Sequence, residues 1–290
     1  MLRTTIFSEK REVTIARDLP TILIGERINP TGKRKLATAL MEGNWDYVKE
    51  MAIKQVEAGA HVLDVNVGVG GIDEAEYLVA AIKAVSEAVD VPLCIDSSDP
   101  KALAAALGSY KGKALVNSVT GEEGSLETVL PLVKQYGAAV IALCMDEHGC
   151  AVDVEGRTAV ARKIIDRADR LGIPREDIIV DCLTMTVGAD SKAALVTLEA
   201  TSRVVAEFDV NITSGASNIS HGLPVREVIN AAFLAMMIAA GLTAPIVDPT
   251  APGITQAILA ADLVMGRDDY AARYIRHYRK MMKAAAARAN

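Results

Sequence analysis

The chain has 290 residues and is 51% hydrophobic, enough for one large domain with a full core. A net charge of −6, an isoelectric point near 5.4 and only 4% aromatic residues exclude a basic nucleic-acid stripe and the stacking platforms of a single-strand binder. The longest apolar stretch, residues 231–241, is about half of what a membrane span needs, and Met1 to Ile6 lead into no apolar core of signal-peptide length, so a cytoplasmic location off the membrane is expected.

In chain order, the first twenty residues show alternating Val13 and Ile15 and a polar turn at 8–11, which reads as a small hairpin closing the bottom of a barrel. Short apolar strands follow at 21–28, 62–67, 92–96, 114–119, 139–145, 178–182, 210–213 and 245–247. Between and after them lie helical stretches at 45–58, 74–89, 100–107, 126–136, 158–171, 191–207, 225–240 and 254–265. Eight strands in strict alternation with eight helices match an α/β fold of the (β/α)8 TIM-barrel type, and residues 1–290 read as a single domain. A doubly wound sheet would show a glycine-rich turn after its first strand, and Gly25-Glu26-Arg27-Ile28-Asn29-Pro30 is not one. The tail from Asp268 reads as an Arg-, Lys- and Ala-rich helix for packing or oligomer contact.

The four cysteines, Cys94, Cys144, Cys150 and Cys182, contain no C-x-x-C and suggest no disulfide framework. Cys94 and Cys182 lie inside apolar strands and read as buried, inert thiols. Cys144 and Cys150 flank His148, but a zinc site there would need a further ligand and a tighter turn, so no metal is expected.

In a barrel of this type the C-terminal ends of the strands hold the site. This chain places there Glu26 and Asn29, Asp64 and Asn66, Asp96, Asn117, Asp146, Asp181, Asn218 and Asp248. No strand carries a lysine for a Schiff base and no H-x-H pair is present, which disfavours an aldolase or a metallohydrolase. Carboxylates and carboxamides suit a flat heterocycle instead. A carboxylate accepts from a ring N–H and an exocyclic amine together, and an amide gives one donor and one acceptor. The run Ser214-Gly215-Ala216-Ser217-Asn218-Ile219-Ser220-His221-Gly222-Leu223-Pro224, small residues with one amide, would form a pocket floor that a ring can approach closely. The competing reading of any single strand-end Asp or Asn is a helix N-cap.

Taken together, Gly25-Glu26-Arg27-Ile28-Asn29-Pro30-Thr31-Gly32, Leu63-Asp64-Val65-Asn66-Val67-Gly68, Ile95-Asp96-Ser97-Ser98, Val116-Asn117-Ser118, Asp181 and Ser217-Asn218-Ile219-Ser220 resemble the pterin-binding barrel family. Within it the chain is similar to the methyltetrahydrofolate:corrinoid methyltransferases, including the one acting on the corrinoid/iron–sulfur protein, and to the folate domain of cobalamin-dependent methionine synthase. The resemblance runs in order over residues 21–265. It implies that Asp96, Asn117 and Asp181 hold the pterin edge and that Asn218 sits beside the methyl-bearing N5. It implies that Arg226 faces the aminobenzoyl-glutamate part, with Gly215, Ser217 and His221 lining the site and Glu26, Asn29, Asp64 and Asn66 behind it. The substrate would be tetrahydrofolate or methyltetrahydrofolate, and the corrinoid (cobalamin) would arrive on a separate corrinoid protein.

The implied chemistry is direct displacement. A bare N5 leaves poorly as an anion, whereas a protonated or hydrogen-bonded N5 leaves as a neutral amine. Asn218 has no titratable proton, so the source of that proton stays open; a water on Asp64 or Asn66 is one candidate. At the place of His221 the corrinoid/iron–sulfur methyltransferases carry an amide, and a histidine could bond the pterin, donate a proton or simply be a solvated loop residue. Asp146-Glu147-His148 is reminiscent of a corrinoid-ligating loop, but Ala151 stands where that motif has glycine. Dihydropteroate synthase shares Ile28-Asn29-Pro30-Thr31, yet Gly32-Lys33-Arg34-Lys35 and the strand end Val247-Asp248-Pro249 depart from it. That enzyme and a non-catalytic pterin-binding subunit are the alternatives. A homodimer is expected, its contact compatible with the apolar 231–241 face.

Overall fold

The structure is a computed structural model that describes residues 1–289. Two short strands, β1 (Thr4–Ser8) and β2 (Glu12–Ile15), pair antiparallel, their turn held where Ser8 Oγ accepts from the Lys10 and Arg11 N–H groups at 3.1 Å each. The chain then runs through β3 (Ile24–Ile28), α1 (Arg34–Met41), α2 (Trp45–Glu57), β4 (Val62–Val65), α3 (Glu74–Ala88), β5 (Leu93–Asp96) and α4 (Pro100–Ser109). Next come β6 (Gly112–Lys113), β7 (Leu115–Thr120), α5 (Glu123–Tyr136), β8 (Ala139–Leu143), β9 (Met145–Asp146), β10 (Gly149–Cys150) and α6 (Val154–Arg170). The last elements are β11 (Ile178–Asp181), α7 (Ala193–Phe208), β12 (Asn211–Gly215), α8 (Arg226–Ala240), β13 (Ala244–Val247), α9 (Ile254–Val264) and α10 (Ala272–Ala289).

Strands β3, β4, β5, β7, β8, β11, β12 and β13 close into a parallel barrel in that order, the eight strands read from the apolar runs. Side chains alternate across each strand, and this sorts the core into two parts. One face of every strand packs against the helices. The other face fills the barrel with Ile24, Val62, Cys94, Leu115, Ala139, Ile141, Ile179 and Ala244, and Ile6, Val13 and Ile15 of the N-terminal hairpin join this inner cluster from below. The hairpin therefore plugs the bottom, as its alternation implied. Among the described residues no helix is long and apolar enough to cross a membrane.

Helix starts follow from local capping. Asn44, Asp73, Asp99 and Asp153 accept backbone N–H bonds at the heads of α2, α3, α4 and α6. Because these residues do the capping, Asp96 and Asp181 are free for another role.

Three details differ from the sequence reading. Helix α1 was absent from it, since Lys33 makes no side-chain cap bond and the helix buries only Leu36, Ala39 and Leu40 beneath a cationic surface. Asp146 lies just beyond β8 in the β9–β10 ribbon, where its Oδ1 closes the turn by accepting His148 N–H at 2.9 Å. The apolar 231–241 stretch mostly serves the core, through Phe233, Leu234, Met237 and Ile238, leaving Met236 and the nearby Val228 outward.

Candidate active site

Two residues beyond the inner cluster, the same inward face changes character. Ile24, Val62, Cys94, Leu115 and Ile179 are followed at i+2 by Glu26, Asp64, Asp96, Asn117 and Asp181. Period-2 alternation thus turns five apolar strands into a ring of four acids and one amide at the barrel mouth. In register, Asp96 lies beside Asn117 and Asp181 beside Leu143 and Thr213. A cavity of about 600 Å³ opens at the ends of β5, β7 and β8, with Asp96, Ser97, Asn117, Ser118 and Thr120 in its wall.

Each member of the ring is held by a neighbour. Asn117 donates to Asp64 at 3.1 Å. Asn29 donates to Asp96 at 3.4 Å, and the Asn66 carboxamide also bonds that carboxylate. Asn29 and Asn66 fix their own loops as well, accepting from Thr31 and Gly68 N–H groups at 3.0 and 2.8 Å. Asp181 accepts from the backbone of Leu183 at 2.7 Å and from Gly215 N–H. Glu26 accepts from Ser217 Oγ at 3.0 Å. Its position depends on Gly25, where a Cβ would fall 2.5 Å from Gln55 Oε1 of α2, the atom that accepts Arg27 N–H at 2.8 Å where the β3–β4 register shifts.

Burial raises the affinity of all four acids for a proton. Asp96 and Asp181 are each pushed up to about 6, chiefly by desolvation. Asp64 is raised well above the usual carboxylate range by burial and then by the neighbouring Asp96 charge, and Glu26 is raised by burial against the lowering influence of Ser217 and Lys33. A ring of desolvated acceptors with this excess of acid suits a ligand edge rich in N–H donors.

Asn218 lies on the short 3-10 turn Ala216–Ser220 that follows β12. It is exposed, and its carboxamide has no hydrogen-bond partner among the described residues. A Cβ at Gly215 would come 3.1 Å from Asn218 Nδ2, so glycine there leaves this side chain its room. Arg226 is folded back to brace the turn: its Nε donates to Ser220 Oγ at 2.9 Å and its NH2 to the Ser217 carbonyl at 2.7 Å. His221 is exposed just beyond the turn, its carbonyl accepting from Thr186 Oγ1 at 2.8 Å. Asp248 is occupied, accepting from Thr250 N–H at 2.9 Å and pairing with Arg27 at 3.3 Å. Cys94 and Cys182 are buried, and among the described residues no cluster of His, Cys, Asp or Glu has the makings of a metal site.

Sequence reading missed Arg157. It is 2% exposed and donates to the carbonyls of Ala151, Cys182 and Leu183 at 3.0, 3.0 and 2.8 Å and to Thr197 Oγ1 at 2.9 Å. It thereby fixes the loop whose Leu183 N–H reaches Asp181, with Leu183 held at φ 61°. The signal was present: Arg157 shares the buried face of α6 with Val154, Ala161 and Ile164.

A family model described as pterin binding enzyme matches residues 25–248. The chain is 32% identical over 266 residues to the methylcorrinoid:tetrahydrofolate methyltransferase of Eubacterium limosum, which covers 89% of this chain and 96% of that protein. It is also 32% identical over 251 residues to the methionine synthase of Mycobacterium leprae, covering 81% of this chain but only 21% of the synthase. The chain thus spans about a fifth of that relative's length. Among solved structures, a Yersinia pestis dihydropteroate synthase with a pterine-sulfa conjugate superposes with a TM-score of 0.68 at 18% identity, over 90% of this chain and 98% of that one. At that identity the likeness is one of fold.

Proposed function

The chain belongs to the pterin-binding enzyme family, and from that premise we propose that it is a methyltransferase acting between N5 of (methyl)tetrahydrofolate and the cobalt of a corrinoid carried on a separate protein. The observation that carries this reading is the pair of desolvated carboxylates, Asp96 and Asp181, with Asn117 in register beside Asp96 and the exposed Asn218 on the turn after β12. The two aspartates would accept from the pterin N–H groups and exocyclic amine, and Asn117, steered by its bond to Asp64, would add a carboxamide contact. Gly215 and Ser217 would form the floor, and Glu26, Asn29, Asp64 and Asn66 would hold the ring from behind. Asn218 would hydrogen-bond N5 and stabilise the form in which it leaves as a neutral amine. The N–H groups that Arg226 keeps at the rim would meet the aminobenzoyl-glutamate part, with His221 on the open side.

The corrinoid supplies the cobalt that gives or takes the methyl group, and no covalent enzyme intermediate is needed. Its carrier protein would dock over the open mouth. Residues 1–290 would work as one domain in the cytoplasm, as a homodimer to which the outward Val228 and Met236 of α8 contribute.

The test mixes the protein with free cob(I)alamin and methyltetrahydrofolate and follows the cobalamin spectrum. No methyl transfer above background in either direction sinks the enzyme reading in favour of a pterin-binding subunit. Asn218→Ala should slow turnover by about 10²–10³-fold while folate affinity changes far less, as for a group acting in the transition state. Loss of affinity alone would refute that role.

A further inference from the structure

Three of the four inward acids are bonded by groups unsuited to passing a proton to a ligand. Asp96 is met by the Asn29 and Asn66 carboxamides and Asp181 by backbone N–H groups. Asp64 meets the Asn117 carboxamide and the Cys94 thiol, which is sealed inside the barrel. Amide N–H groups orient a ligand but do not relay protons. Glu26 is the exception, since its partner is the Ser217 hydroxyl at 3.0 Å, and a hydroxyl can accept one proton while giving up another. Ser217 is also the residue before Asn218, and its turn is pinned by Arg226 and by Ser220 Oγ on the Ser217 carbonyl at 2.7 and 3.4 Å.

Resting on the methyl-transfer reading above, we propose that Glu26 and Ser217 form the proton relay for N5 of the folate. When methyl leaves N5, the Glu26 carboxyl gives its proton to Ser217 Oγ and the Ser217 hydroxyl proton bonds to the N5 lone pair. The N5–CH₃ bond then breaks with its electron pair remaining on N5, and the methyl carbon bonds to an electron pair of the acceptor. Glu26 ends as a carboxylate and N5 as a neutral N–H amine. In the opposite direction the N5 lone pair takes the methyl group, and the N5 proton returns through Ser217 to Glu26.

The surroundings of Glu26 suit a reservoir. Burial raises its proton affinity, and the Asp248 charge at the end of β13 acts in the same direction. Lys33 and Arg27, on the loop after β3 and on β3 itself, act against it, and the Glu26 charge in turn raises Asp64 on β4. Lys33 Nζ reaches the backbone carbonyls of Asn29 and Glu26 at 2.9 and 3.5 Å, so it lies at the edge of this group without capturing its carboxylate.

The experiment is Glu26→Gln, which keeps the shape and the acceptor for Ser217 but removes the proton. Two donors are compared: methyltetrahydrofolate, and a 5,5-dimethyl analogue whose N5 is already a permanent cation and needs no proton. With methyltetrahydrofolate the variant should be slower by about 10²–10⁴-fold, lose the Glu26 limb of the rate–pH profile and keep its folate Kd within about threefold. With the quaternised donor it should match the wild type within about threefold, and Ser217→Ala should show the same selectivity. A Glu26→Gln rate near that of the wild type on methyltetrahydrofolate overturns the relay while leaving the methyltransferase reading intact. Equal slowing on both donors overturns it too, since a merely structural loss would not distinguish them. A wild type inert toward both donors removes the methyl-transfer reading itself.

Discussion

Asp181→Asn should make the ligand-free protein more stable while weakening folate binding. Asp181 is 6% exposed, and its carboxyl is pushed from 3.8 to about 6, chiefly because the charged form has lost its water. Holding that group ionised costs the folded protein roughly 3 kcal/mol once the pH is above 6. Since the folded value lies above the unfolded one, the native state holds a proton between about pH 4 and 6 that the unfolded chain has released, and wild-type stability from this group falls as pH rises through that window. A carboxamide never ionises and keeps one oxygen for the Leu183 N–H, now 2.7 Å away, although its NH₂ cannot accept from Gly215 N–H. Discounting for that loss, the variant should gain about 1–3 kcal/mol at pH 8 and almost nothing at pH 4. Urea unfolding at the two pH values measures the difference, and calorimetry at pH 8 should show folate affinity reduced by at least tenfold, as a charged acceptor is lost. Destabilisation at pH 8 as large as at pH 4 would refute the claim that Asp181 is a strained, ligand-awaiting acceptor.

Arg157→Met should cost about 3–5 kcal/mol in chemical denaturation, because it removes a buried guanidinium with its four hydrogen bonds, leaves the Cys182 carbonyl without its donor and leaves Leu183's with Thr197 Oγ1 alone. At temperatures where the variant is folded, its folate Kd should rise with little change in turnover at saturation, since the residue acts through the loop that orients Asp181. Gly215→Ala should lower turnover by about tenfold with folate affinity nearly kept, since its Cβ would press on Asn218 Nδ2 from 3.1 Å and displace the carboxamide by a few tenths of an ångström. Stopped-flow transfer rates beside equilibrium binding check both.

What could be read in advance divides along physical lines. The eight strands were legible because buried parallel strands are short apolar runs, and the strand-end acids were legible because they interrupt those runs. The strength of the pattern is in the offset: apolar at i, acid or amide at i+2, repeated on β3, β4, β5, β7 and β11, which alternation alone turns into one inward ring. Asp146 and Asp248 satisfy the same loose rule of a polar residue at a strand end, but Asp146 spends an oxygen on its local turn and Asp248 divides its oxygens between a local turn and Arg27. Helix α1 was hidden because it has neither a capping side chain nor a full apolar stripe. The Glu26–Ser217 bond joins residues 191 apart, and the bracing of that turn by Arg226 depends on how α8 leaves it. Such pairings arise only when β12, β13 and β3 close the barrel, so the acids can be found in the sequence whereas the partner that decides what each acid does cannot. In this mouth the partner is decisive: amides make Asp96 and Asp181 receptors for a ring edge, and one hydroxyl makes Glu26 able to exchange a proton.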